Sequence, residues 1–133
     1  MAPKLFRVLL QVSDIQRAAT FYEQVLGIPG KQVSPGRCYF DCDGTILACF
    51  DPGADGDDFE AQPSADYVYI VVDDIDQSYQ AAKAAGAIFA NGEVHGGPAG
   101  EIAERPWGER SFYFADPFGN KLCFVERTTM FTG

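Results

Sequence analysis

The chain opens on alternating positions. Phe6, Val8, Leu10 and Val12 form one apolar side, while Leu5, Arg7, Leu9 and Gln11 form a mixed one. That pattern predicts a strand over residues 5–12 with one face on a core and the other on something partly polar. The period then changes. Ile15, Ala18, Ala19, Tyr22, Val25 and Leu26 recur at helical spacing; Ser13 or Asp14 stands where an N-cap belongs, and Gly27 closes the segment. Pro29-Gly30 and Pro35-Gly36 mark turns around a short strand at residues 31–34. Residues 37–42 and 45–50 read as a hairpin across Asp43-Gly44.

Residues 51–66 break the pattern. Asp51, Asp55, Asp57, Asp58, Glu60 and Asp66 are interspersed with Pro52, Gly53, Gly56 and Pro63, which predicts a solvated acidic linker. A strand is expected at residues 67–72. Asp74 then caps a second helix carrying Ile75, Ser78, Tyr79, Ala82 and Ala85, with Gly86 at its end. A Gly-rich stretch, 91–100, holds His95, the only histidine, and a short strand follows at 101–105. Residues 111–115 and 121–125 form two strands joined by Asp116-Pro117-Phe118-Gly119-Asn120. Residues 128–133 are a tail.

The second half echoes the first. Gln11-Val12-Ser13-Asp14-Ile15 reappears as Val71-Val72-Asp73-Asp74-Ile75, and RCYFDCD from Arg37 matches RSFYFAD from Arg110. Each half runs strand–helix–strand–strand–strand. Two copies exclude a solenoid. The expected fold is α+β: one domain of two βαβββ modules, about 4–50 and 67–127, forming curved mixed sheets around a cup with helices outside.

Charge and cysteine narrow the setting. The net charge of −9 disfavours nucleic acid, whose phosphates need Lys and Arg, and is compatible with a cationic ligand or simply with solubility. No apolar run approaches the ~20 residues of a membrane span. No signal-peptide core is visible before Ser13, so a cytoplasmic location is expected. None of the four cysteines sits in a C-x-x-C pair, which disfavours structural zinc. Cys38 and Cys42 fall on one expected strand, roughly 13 Å apart and beyond disulfide reach.

Val12–Ile28, 72–87 and 110–126 resemble the vicinal-oxygen-chelate superfamily of glyoxalase I, bleomycin-resistance proteins, extradiol dioxygenases and fosfomycin-resistance enzymes. The resemblance implies the paired-module fold, and it implies a homodimer. It also places the superfamily's four metal-ligand positions at Arg7, Ala48, Tyr67 and Cys123. Ala48 has no donor, Arg7 is a permanent cation and Tyr67 ligates rarely, so no metal or other cofactor is expected. The expected function is metal-independent binding of a small molecule in the cup, similar to bleomycin-resistance proteins. The alternative is a glyoxalase-like lyase or dioxygenase-type enzyme acting on a small carbonyl or carboxylate substrate with non-standard residues.

Six residues are expected to touch the ligand: Arg7, Gln11, Tyr67, Tyr69, Trp107 and Cys123. For Arg7 the choice lies between capture of a carboxylate or phosphate and an ion pair with an acid such as Glu109, or an exposed rim. Tyr67 and Tyr69 either line a pocket or fill it. Cys123 is a candidate nucleophile if a cation such as Arg7 lowers its pKa, and otherwise an inert buried thiol. His95 is a candidate general base on a loop, against the plainer reading of a solvated histidine.

Overall fold

The computed structural model describes residues 1–133. The chain divides into two compact units, Met1–Ser64 and Ala65–Gly133. Together they carry two helices and mixed sheets, an α+β fold. Neither helix is long and apolar enough to cross a membrane.

In the first unit, β1 (Arg7–Gln11) leads into α1 (Ile15–Leu26), followed by β2 (Lys31–Ser34), β3 (Arg37–Cys42) and β4 (Thr45–Phe50). The sheet order is β1-β4-β3-β2, with β1 and β4 parallel and the other pairs antiparallel. Of the two candidate caps, Asp14 is the one used: its carboxylate accepts the Arg17 N–H at 3.1 Å. Asp51 Oδ2 accepts the Ile15 N–H at 3.3 Å, so two carboxylates meet the positive end of the helix. Gly27 ends α1 in the left-handed region at φ 69°, where a side chain would cost strain. The buried stripe is Ile15, Ala18, Phe21, Tyr22 and Val25. It is rotated slightly from the expected one, since Phe21 is buried while Ala19 and Leu26 are only half-buried.

The acidic stretch is not wholly solvated. Asp55 accepts the Ser34 hydroxyl at 2.9 Å, the Gly36 N–H at 2.7 Å and the Arg37 guanidinium at 2.5 Å. Gly36 is required here, because a Cβ would lie 2.3 Å from the Asp51 carbonyl oxygen. Asp55 thereby satisfies one hydroxyl, one amide and one guanidinium around the β2–β3 turn, and the acid-rich composition reads as a solvated linker only beyond it.

The second unit repeats the plan. It comprises β5 (Val68–Val72), α2 (Ile75–Ala84), β6 (Ile88–Phe89), β7 (Glu93–Val94), β8 (Gly97–Pro98), β9 (Ala103–Glu104), β10 (Arg110–Ala115) and β11 (Lys121–Glu126). The order β5-β11-β10-β6 again pairs the first and last strands in parallel, while β9 pairs with β10 and β7 with β8. Asp74 caps α2 through the Gln77 N–H at 3.0 Å. Tyr79, Phe89, Phe112, Phe114 and Phe124 form a ladder of ring contacts 4.9–6.1 Å apart on the helix side of this sheet. The turn after β10 is locked by Asp116, whose Oδ1 accepts the Phe118 and Asn120 N–H groups at 2.9 Å each.

Candidate functional site

In the first unit, register sorts the side chains between two faces. Leu10, Leu47, Cys49, Phe40 and Cys38 lie on the α1 side, where Tyr22 meets Phe40. Arg7, Leu9 and Gln11 share the opposite face with Ile46, Ala48, Phe50, Arg37, Tyr39 and Asp41. Arg7 is exposed. Its guanidinium lies 4.7 Å from the centre of the Phe6 ring and 5.1 Å from that of Tyr39. Because β4 separates β1 from β3, Arg7 and Tyr39 lean toward each other across it, which fits the complete burial of Ala48 between them. Arg37 instead packs 4.2 Å over Phe50 and pairs with Asp55. The Gln11 side-chain oxygen accepts the Gln62 N–H at 2.8 Å.

In the second unit, Tyr69, Cys123 and Tyr113 stand side by side across β5, β11 and β10, away from α2. Tyr113 meets Tyr67 edge-on at 4.9 Å and Tyr69 at 6.1 Å. Ala99, Tyr113, Cys123 and Val125 form a small buried cluster, with Tyr67, Val71, Ala90 and Val94 packed against it. The strand-flanking loop therefore covers part of this face: the Tyr113 N–H donates to Ala99 and its carbonyl accepts from Ala90. Cys123 is fully buried. Burial pushes its thiol up to about 12, against the hydrogen bonds of Ser111 and Tyr113 and the charge of Arg105, which act to lower it. It is a neutral thiol at physiological pH. The hydroxyls of Tyr113 and Tyr67 are also pushed up, chiefly by burial. Tyr69 alone of the three rings is well exposed, at 58%.

Arg105 is the residue that the sequence leaves hidden. It is 2% exposed. Its Nε donates to Ser111 Oγ at 2.9 Å, Nη1 to the Pro98 carbonyl at 3.1 Å, and Nη2 to the carbonyls of Ser111, Ala99 and Glu101 at 2.9, 3.4 and 3.3 Å. It also packs 5.2 Å from the Tyr113 ring centre. No carboxylate bonds to it, so its hydrogen bonds all run to neutral acceptors. The only cue in the sequence is that a Gly-rich stretch with few apolar residues needs a polar hub to hold it.

His95 sits at the tip of the β7–β8 hairpin with φ 49°, followed by Gly96 at φ 87°, and its ring meets Trp107 edge-on at 5.4 Å. The Trp107 indole N–H donates to Glu109 at 2.7 Å, and the other oxygen of Glu109 accepts the Phe131 N–H at 2.8 Å. Both oxygens of Glu109 are thus engaged, and Arg7 forms no ion pair. Of the residues expected to touch a ligand, Tyr67, Tyr69 and Cys123 come together in one cluster, and Arg7 and Gln11 share one face of β1. Trp107 pairs instead with His95.

The family model for the Glyoxalase/Bleomycin resistance protein/Dioxygenase superfamily matches residues 4–124. The chain belongs to this superfamily. Solved structures share the fold at low identity. A glyoxalase/bleomycin resistance protein from Albidiferax ferrireducens is 19% identical, with a TM-score of 0.72 over 91% of this chain and 96% of that one. A glyoxalase-related enzyme from Fulvimarina pelagi is 19% identical, with a TM-score of 0.73 over 99% and 94%. A lactoylglutathione lyase from Agrobacterium tumefaciens is 20% identical, with a TM-score of 0.67 over 95% of each chain. No curated protein matches the sequence.

Against the superfamily's metal positions, the donors here do not fit a divalent cation. The first unit offers Arg7 and the methyl of Ala48, and the second offers Tyr67 and the sealed Cys123 thiol. No group of three or more His, Cys, Asp or Glu gathers anywhere to hold a metal.

Proposed function

We propose that this member of the superfamily binds a small molecule without a metal, on the open faces of its sheets, and does so as a cytoplasmic homodimer. One observation carries the reading. Of the positions that would hold a metal, those of the first unit carry an exposed guanidinium, beside the Tyr39 ring, and a methyl, and those of the second carry a phenol and a buried neutral thiol beside the rings of Tyr69 and Tyr113. Such a surface offers stacking, apolar contact and charge, which are the means of recognition, and it lacks a poised acid–base pair.

The test is calorimetric titration of the purified chain with a panel of small aromatic and carboxylic compounds, with and without a chelator, and with mass spectrometry of the mixtures. Saturable binding that a chelator leaves unchanged, with every compound recovered intact, is the expected result. Formation of product would replace the binder with an enzyme of the lyase or dioxygenase type. Binding abolished by the chelator would restore a metal. Sedimentation velocity decides the homodimer.

A further inference from the structure

Leu5 precedes β1, an edge strand of its sheet, and by strand parity Leu9 and Arg7 share one side of it. The two leucines are 69% and 46% exposed. Large apolar side chains left in water beside one another are a cost that a binding surface explains. The Arg7 cation is held by ring contacts on Phe6 and Tyr39, and its N–H groups meet no acid. Four of the other arginines are held by carboxylates or carbonyls. Arg37, Arg110 and Arg127 each hold a carboxylate, and Arg105 is saturated by carbonyls. In a chain with 19 acidic and 10 basic residues, a guanidinium positioned by aromatic rings with no acid bonded to it is suited to an external anion.

We infer that this face takes the carboxylate of a small apolar acid, with the carboxylate on the N–H edge of Arg7 and the hydrocarbon body against Leu9. The inference rests on the binding reading above and names the class of ligand. A carboxylate matches a single guanidinium in charge and in its planar, two-oxygen geometry. A phosphate monoester carries nearly two charges at neutral pH, and the other cations of this face do not answer the second: Arg37 is paired with Asp55, and Lys31 lies two strands beyond β4 on the far edge. A cationic ligand would be repelled by Arg7.

The experiment compares phenylpropionate with its neutral analogue phenylpropionamide, by calorimetry on the full chain at low salt, for the natural sequence and for Arg7→Gln and Arg7→Lys. The acid is expected to bind at least about 10-fold more tightly than the amide, the scale of a charge-assisted hydrogen bond. Arg7→Gln should bring the two within about twofold while circular dichroism stays unchanged, since Arg7 is exposed; Arg7→Lys should keep part of the preference. Equal binding of acid and amide, or a preference that survives Arg7→Gln, overturns the carboxylate class and leaves the binding reading standing. Failure of both probes, when other compounds of the panel bind, also overturns the carboxylate class alone. Failure of every compound overturns both.

Discussion

Arg105 Nε donates to the hydroxyl of Ser111 at 2.9 Å, with both residues almost sealed from water and no carboxylate bonded to the guanidinium. A buried guanidinium normally needs an acid. This one is tolerated because four backbone carbonyls, from Pro98, Ala99, Glu101 and Ser111, complete its shell.

Arg105→Ala leaves those carbonyls and the Ser111 hydroxyl without their donor. A loss of about 3 kcal/mol or more is expected, given ~1–3 kcal/mol for each buried group left unsatisfied and partial relief by entering water. Arg105→Lys should recover little, because an ammonium has three donors at one point and cannot span acceptors on both sides of the loop. Urea denaturation of both variants measures it. A Lys variant as stable as the natural chain would contradict the hub role.

Alkali should destabilise the second unit through Cys123. The folded thiol sits at about 12 against an ordinary 9.0, so the native state keeps a proton that the unfolded chain releases. The contribution of the neutral thiol is complete below pH 9 and is lost as pH rises from there toward 12. Tyr113, raised above its ordinary 10.0, acts in the same sense at still higher pH. Stability against urea should therefore fall as pH climbs above 9, and Cys123→Ala should flatten the early part of that fall. An unchanged slope in the variant would remove Cys123 as its source.

The four thiols should label in order of access. Cys42 is half-buried, Cys38 and Cys49 are buried, and Cys123 is sealed with a raised pKa. Peptide mass spectrometry after brief alkylation at neutral pH should find Cys42 modified first, with Cys49 and Cys123 reacting only in denaturant. Rapid native labelling of Cys123 would show that the Ala99 cover opens and would revive a chemical role for the thiol.

The local signals in the sequence translated well where the physics is local. Asp14 and Asp74 cap helices, Gly27 ends one, and the alternation of residues 5–12 places Arg7 and Leu10 on opposite faces as observed. What stayed hidden depends on distant partners. The burial of Arg105 rests on carbonyls that only the folded loop gathers. The β7–β8 hairpin was missed because its turn uses His95 before Gly96, both at positive φ, where Asn-Gly would have announced it. Strand parity puts Arg7 on the open face, but no pattern says that it lacks an acid. Likewise, composition marks Asp51 and Asp55 as linker residues, while their hydrogen bonds run back to α1 and to the turn before β3.

Those two carboxylates decide where this chain can be cut in two. A first fragment ending after Phe50, where the apolar pattern stops, would discard Asp51 from the amino end of α1 and Asp55 from Ser34, Gly36 and Arg37. A fragment carried on to Ser64 keeps both, along with the Gln62 amide that closes on Gln11. For reassembly from separately expressed halves, the acid-rich segment belongs to the amino-terminal piece as its fastening.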